Sequence, residues 1–300
     1  MYTKFYGFRE RPFEITPDPR FLYLTENHKE ALAYLLYAIK ERRGLTVITG
    51  EAGTGKTTLI HTLMRLLSKM NDKTRTAYLF NPKLEAADFL FYVCWDLGIK
   101  LEEKSKVRHL IRFHEFLLEC YEHNEKVVLV IDEAHCLDQA LFEEIRLLTN
   151  LETSRKKLLQ IILMGQPELA ELLNRPQSLA LKQRISLRYD LNSLDEEDTK
   201  GYVRKRMKIA GLPNPNIFSS KALKEIYAHS KGIPRSINIV CDNALLKGYA
   251  DSRKSIGDRI IREVVKSLDG KVTGHQKKMS KRSIFRFFWP FSRKTGKREQ

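Results

Sequence analysis

Between Gly50 and Thr57 the chain reads Gly-Glu-Ala-Gly-Thr-Gly-Lys-Thr, a complete match to the spacing GxxxxGK[ST]. It follows the apolar run Leu45–Thr49 and opens a helical stretch over Thr57–Met70, the strand–loop–helix context in which such a loop cradles phosphates. Each residue type has a physical reason. Glycines let successive backbone N–H groups turn inward toward phosphate oxygens, and the helix amino terminus adds partial positive charge. Lys56 is spaced to reach β- and γ-phosphates and the Thr57 hydroxyl to ligate Mg²⁺. Gly50, Glu51, Ala52, Gly53, Thr54, Gly55, Lys56, Thr57 and Thr58 are therefore the candidate nucleotide-binding loop, with ATP and Mg²⁺ as its ligands.

The rest of the pattern agrees with that loop. Short apolar runs at Leu45–Thr49, Thr76–Phe80, Val127–Ile131 and Leu159–Met164 read as strands covered on both faces, and a further strand is expected at Ile185–Leu191. Helical stretches lie between them, which predicts an α/β fold with a mainly parallel sheet sandwiched by helices. After Asp190 the stretches Asp195–Ala210, Ser219–His229, Pro234–Tyr249 and Ile256–Leu268 read as helices with no strand between them, jointed at Gly211-Leu-Pro-Asn-Pro and Gly232-Ile-Pro. The chain thus divides into an α/β core over 1–190, a small helical lid over 191–268 and a tail over 269–300. Within the core, Met1 to Thr25 is rich in aromatics, among them Phe5, Phe8, Phe13, Phe21 and Tyr23, with the prolines Pro12, Pro17 and Pro19. Prolines at this density exclude a long helix, so an extended strap packed on the α/β unit that follows is expected.

Further residues suit phosphate chemistry. Lys126-Val-Val-Leu-Val-Ile-Asp-Glu133 is a buried strand ending in adjacent acids. Asp132 is placed to hold the metal shell and Glu133 to act as general base on the attacking water. Gln166, ending the strand run Leu159-Gln-Ile-Ile-Leu-Met-Gly-Gln166, either touches the γ-phosphate or lytic water or caps the helix that Pro167 begins. Asn81, ending its own strand, is a candidate to hold Glu133 away from water. Arg184, just before the last strand, is either a finger reaching a neighbouring subunit's phosphates or a surface ion-pair member, with Arg188 its competitor. Arg235, opening a lid helix, either senses nucleotide across the cleft or makes a structural salt bridge. Asp132-Glu-Ala-His135 also spells a helicase signature, but such helicases need a second α/β lobe, and only helices follow Asp190. His135 is given no role.

Charge sharpens the picture at the far end. The net charge is +16, yet from Asp269 onward ten Lys and Arg face two acids, a net of +8. The surplus belongs to the tail, unlike a uniformly basic nucleic-acid-binding domain. There, Ser283-Ile-Phe-Arg-Phe-Phe-Trp-Pro-Phe291 lies between Lys277-Lys278 and Lys297-Arg298. Aromatics flanked by Lys and Arg suit peripheral binding of residues 277–298 to an anionic inner-membrane leaflet. A docking peptide for a protein partner, a basic tail on DNA and a solubilising end are the alternatives. No run approaches the roughly 18–20 apolar residues of a membrane-spanning helix, and Met1 to Arg11 lacks a signal peptide's apolar core. Four scattered cysteines with no CxxC pair fit a reduced compartment. A cytoplasmic location is expected, peripheral at the inner membrane if the tail binds lipid.

Several runs together resemble one family. They are Phe5-Tyr-Gly-Phe8 with Arg11-Pro-Phe13 and Pro17-Asp-Pro19, Gly50–Thr57, Ile131-Asp-Glu-Ala-His135 and Leu148-Thr-Asn-Leu-Glu152. Leu163-Met-Gly-Gln-Pro-Glu-Leu169, Gln183-Arg-Ile185 and Gly232-Ile-Pro-Arg-Ser-Ile-Asn238 complete the set. The chain to about Leu268 is similar to the AAA+ ATPases of the general secretion pathway protein A (ExeA) type and the related MSHA pilus biogenesis protein MshM. The resemblance implies a P-loop NTPase core of five parallel strands, a helical lid and ATP hydrolysis in a homo-oligomer. It also implies secretion or pilus proteins as partners. Fuller members continue through a transmembrane helix into a peptidoglycan-binding domain. Neither is evident, which points to the short cytoplasmic branch. Similar ATPase domains serve DNA transposition, so a DNA-dependent ATPase is the alternative.

Overall fold

The computed structural model describes residues 1–16, 18–21, 23–69, 73–80, 82–101 and 105–270. Asn81 and the tail segment 277–298 lie outside the described residues. In chain order the elements are α1 (Tyr2–Tyr6), α2 (Glu26–Lys40), β1 (Leu45–Thr49), α3 (Lys56–Lys69), β2 (Thr74–Leu79) and α4 (Ala86–Asp96). Then come α5 (Lys106–Glu122), β3 (Lys126–Ile131), α6 (Gln139–Leu148), β4 (Leu159–Gly165), α7 (Glu168–Asn174), α8 (Leu179–Lys182) and β5 (Ile185–Asp190). Four helices close the described chain: α9 (Glu196–Ile209), α10 (Ser220–Ser230), α11 (Pro234–Ala250) and α12 (Asp258–Leu268).

The five strands form one all-parallel sheet in the order β2-β3-β4-β1-β5. Every residue of β1, β3 and β4 is buried, because these inner strands carry helices on both faces. One face gathers Val47, Leu129, Ile161 and Leu163 with Phe89, Phe113 and Leu117 of α4 and α5. The other packs Ile48, Val130 and Ile162 against α2 and α3 through Leu35, Leu59 and Leu63. Truncating one such side chain, as in Leu129→Ala, removes about 2–5 kcal/mol. At the margins the pattern relaxes, and β5 alternates half-buried with exposed residues. Helix starts follow local chemistry. Asp195 caps α9 by accepting from the Asp198 N–H at 2.7 Å. Glu196, Glu197 and Asp198 fill its first turn and Arg206 and Lys208 its last, matching the helix dipole.

The amino-terminal segment departs from expectation. It is partly helical in α1, and its buried aromatics belong to neither of the cores on the two sheet faces. Tyr2, Tyr6, Phe8, Phe13 and Phe21 instead join a separate core with α9–α12, among Tyr202, Val203, Phe218 and Val240. Arg206 of α9 staples this contact. Its Nε donates to the Pro12 carbonyl at 2.6 Å and its Nη2 to that of Glu14 at 3.0 Å, while its guanidinium lies 4.6 Å from the Phe21 ring centre. The physical reason is supply of apolar surface. Both sheet faces are already covered by helices, while the apolar sides of α9–α12 are completed by these five aromatics.

The helical unit is tied back to the sheet at two places. The Leu191 N–H donates to the Thr49 carbonyl of β1 at 2.7 Å, and the Arg235 N–H donates to the Gly53 carbonyl at 3.3 Å. Among the described residues no helix is long and apolar enough to cross a membrane.

Candidate functional site: a phosphate-binding cleft

At the end of β1 the chain turns through the loop 50–55 into α3. Gly50 is pinned by its N–H to the Gly165 carbonyl of β4 at 3.2 Å, and a Cβ there would meet the Leu191 carbonyl at 2.7 Å. Gly53 and Gly55 adopt φ of 83° and 102°, left-handed backbone that glycine adopts without strain. Thr54 is buried and closes the turn through its hydroxyl on the Glu51 carbonyl at 2.9 Å. Lys56 is also buried. Its Nζ donates to the carbonyls of Gly50 at 2.7 Å and Glu51 at 3.0 Å, which extends it along the inside of the loop. Burial pushes its ammonium below the usual lysine range, and Glu133 and Asp132 pull the other way.

The paired acids end β3 beside this loop. Thr57 Oγ1 donates to Asp132 Oδ2 at 2.9 Å, and the Tyr78 hydroxyl of β2 donates to the same oxygen at 3.0 Å. Asp132 Oδ1 accepts the Glu133 N–H at 2.9 Å. Burial, with Asp132 adding to it, raises the Tyr78 hydroxyl well above its ordinary value. Thr57 and Asp132 thus present a hydroxyl and a carboxylate, both hard oxygen donors. Among the described residues no group of three or more His, Cys, Asp or Glu could cage a metal. Few protein oxygens plus phosphate oxygens is the set that suits Mg²⁺, so these residues fit that ion.

A cleft of about 540 Å³ opens over the loop. Its floor is Ala52 to Thr58, Glu133 and Gln166 face it from the ends of β3 and β4, and Tyr202, Arg235 and Asn238 line it from the helical unit. Of the expected loop residues, Gly50 and Glu51 stand behind this lining and act through their carbonyls on Lys56. Arg235 is as close as the chain permits, since a Cβ on Gly53 would meet the Arg235 Cβ at 2.6 Å. Arg184 and Arg188 are not brought to the cleft of their own chain. Both are exposed. Arg184 immediately precedes Ile185, which registers with Leu45 at the start of β1, and Arg188 registers with Val47. The loop leaves the other end of β1, about 16 Å away at 3.3 Å per residue.

Two histidines were not singled out by sequence. Buried His28 of α2 lies with Nε2 3.3 Å from the Thr54 carbonyl and Nδ1 2.7 Å from the Thr25 hydroxyl. His135, set aside above, lies between two candidate residues. Its Nδ1 is 3.4 Å from Glu133 Oε2, and its Nε2 is 3.0 Å from the Gln166 side-chain amide. Gln166 therefore turns its side chain to His135 rather than over the start of α7. The clue in the sequence was the shared position of residues 132–135 and 166 just past two strand ends, which becomes proximity only once β3 and β4 are adjacent.

Comparison with known proteins follows the same lines. Residues 39–173 match the AAA domain family. General secretion pathway protein A of Aeromonas hydrophila is 43% identical over 253 residues, covering 83% of this chain and 45% of that protein. The chain thus spans less than half the length of that curated relative. Among solved structures, the Aeropyrum pernix ORC2 protein in its ADPNP–ADP complexes superposes with a TM-score of 0.62 at 16% identity, covering 85% of this chain and 71% of that one. The RuvB Holliday junction branch migration motor of Thermotoga maritima gives 0.53 at 19% identity, covering 82% and 70%. At such identities these two establish the fold alone, a P-loop core of five parallel strands with helices around it. The sequence relative, 43% identical over 83% of the chain, shows that the chain belongs to the AAA+ ATPase family of the general secretion pathway protein A type.

Proposed function

We propose that this chain is an Mg²⁺-dependent ATPase that works as a homo-oligomer in assembling an envelope secretion or pilus system. The observation that carries the chemistry is the 2.9 Å bond from Thr57 to Asp132, which joins two motifs 75 residues apart at the mouth of one cleft. In this reading the N–H groups of the loop and Lys56 bind the β- and γ-phosphates, and Thr57 and Asp132 hold the metal. Mg²⁺, when bound, supplies neutralisation of the charge that develops on those phosphates. Glu133 accepts a proton from the attacking water, Gln166 contacts the terminal phosphate or that water, and Arg235 links the lid to the nucleotide. The units 1–190, 191–268 and 269–300 then act as core, lid and tail.

Arg184, remote from its own cleft, requires a second subunit to act as a finger, which makes hydrolysis depend on assembly. The role in secretion or pilus assembly rests on the name of the Aeromonas relative. Peripheral attachment of a cytoplasmic protein to the inner membrane rests on the composition of 277–298, and co-sedimentation with anionic vesicles tests it. Equal pelleting of the full chain and of one ending at Leu268 would remove it. The ATPase reading is tested with Glu133→Gln, which should bind ATP like the parent and hydrolyse it at least 100-fold more slowly. Hydrolysis at the parent rate would show that Glu133 is not the base.

A further inference from the structure

His135 has no place in the reading just given, yet it touches two residues that do. It sits in a single turn, Ala134–Cys136, that begins immediately after Glu133. Glu133 itself has φ 51° and ψ 35°, a left-handed conformation that is strained for a non-glycine residue. Such strain persists only where surrounding contacts hold it. Gly165 permits the close approach that does so, since a Cβ there would fall 3.2 Å from the His135 N–H nitrogen and 2.9 Å from Leu169 Cδ2. The turn after β3 therefore lies directly against the end of β4.

The imidazole bridges the two strand ends. Its side chain is only 15% exposed, whereas that of Glu133 is 45% exposed. Nδ1 faces Glu133 Oε2 at 3.4 Å, and the Gln166 backbone N–H stands at the same 3.4 Å. Nε2 faces the Gln166 amide at 3.0 Å and Cys136 Sγ at 3.5 Å. The Gln166 backbone N–H donates to Nδ1 and the Gln166 side-chain amide pairs with Nε2, so Gln166 holds the ring at both nitrogens while the Glu133 carboxylate lies beside Nδ1. Glu133 and Gln166 line the cleft and His135 does not, so the ring backs both groups from behind.

We propose that His135 is a positioning residue that fixes the carboxylate of Glu133 and the amide of Gln166 relative to each other. The inference rests on the assignment of Glu133 as general base. Its consequence is that the base and the neighbouring amide move as a unit: displacing either loosens the other. A carboxylate left to its own rotamers meets the lytic water less often in the productive orientation, while phosphate binding, which belongs to the loop, is untouched.

Steady-state ATP hydrolysis tests this with His135→Ala, His135→Asn, Gln166→Ala and Glu133→Gln. His135→Ala should lower kcat about 10-fold, some 1.4 kcal/mol of barrier, with KM for ATP within a factor of two. The side-chain amide of His135→Asn stands near the Nδ1 position and should recover about 3-fold of that loss. The double variant His135→Ala/Gln166→Ala should be no slower than the slower single variant, because both changes cut one chain of contacts. Adding His135→Ala to Glu133→Gln should change the residual rate less than 2-fold.

A parental kcat in His135→Ala, or losses that multiply in the double variant, would overturn the inference. A parental rate in Glu133→Gln would instead refute the base itself, and the positioning role would fall with it. Should His135→Ala fail to fold, His135→Asn carries the test. A kcat equal to the parent's supports the Nδ1 contact only if Gln166→Ala is impaired, and a parental Gln166→Ala overturns the role.

Discussion

Replacing Gly232 with alanine should unseat the lid, and the structure gives the size of the effect. Gly232 has φ 75°, so any other residue there costs roughly 1–2 kcal/mol in backbone strain. Its new Cβ would fall 1.8 Å from the Leu194 carbonyl oxygen and 2.8 Å from the carbon behind it. Backbone cannot yield as a flexible side chain does, so the segment must move. That movement breaks the 3.0 Å bond from the Leu194 N–H to the Gly232 carbonyl, worth about 1 kcal/mol. The total is about 2–3 kcal/mol. For a chain of this size each kcal/mol shifts the melting temperature by about 2–4 °C, so Gly232→Ala should melt about 5–10 °C below the parent by circular dichroism. Three residues on, the Arg235 N–H bond to the Gly53 carbonyl should loosen too, weakening ATP binding about 10-fold in the same samples. Melting within 1 °C of the parent, with unchanged affinity, would refute the reasoning.

Three further outcomes follow from single contacts. Tyr78→Phe removes one of three donors to the Asp132 carboxylate and should raise the Mg²⁺ concentration for half-maximal ATPase about 3–10-fold, whereas an unchanged Mg²⁺ titration would show that the hydroxyl does not orient Asp132. Burial holds His28 below its ordinary pKa of 6.5, partly offset by its contact with the Thr54 carbonyl. The folded state therefore binds a proton less readily than the unfolded chain. The stability from neutral His28 is complete above about pH 6.5 and declines as pH falls below it, by up to about 1.4 kcal/mol per unit. Urea melts from about pH 7.5 to pH 5 should decline less steeply in His28→Gln, and superimposable profiles would contradict this. Arg184→Ala should leave ATP binding intact and abolish most of the hydrolysis that depends on protein concentration; full activity at every concentration would remove the finger.

What the sequence disclosed and what it withheld divides on range. β1, β3 and β4 could be read from apolar runs because burial on both faces makes most of their residues apolar, continuously so over Val127–Ile131 and Ile161–Met164. The turn over residues 50–55 was legible because its geometry depends on glycines within six residues of one another. The docking of Tyr2, Tyr6 and Phe13 was not. Their partners begin near Leu194, nearly 200 residues away, and an aromatic strap reads the same whichever apolar surface it covers. His135 was missed for a related reason. Its meaning depends on β3 lying beside β4 in a register that pairs Ile131 with Leu163, which sets Glu133 and Gln166 at adjoining strand ends. Local patterning reports elements, and chemistry at strand ends waits for their order.

The central claim is that the loop ahead of Lys56 binds the phosphates of ATP, and isothermal titration of Mg·ATP into the full chain tests it directly. The parent should bind, and Lys56→Ala, which removes the cation extended along the inside of that loop, should bind at least 100-fold more weakly while melting near the parent temperature. Binding by Lys56→Ala with the parent's affinity, or no binding by the parent at millimolar ATP, would contradict it.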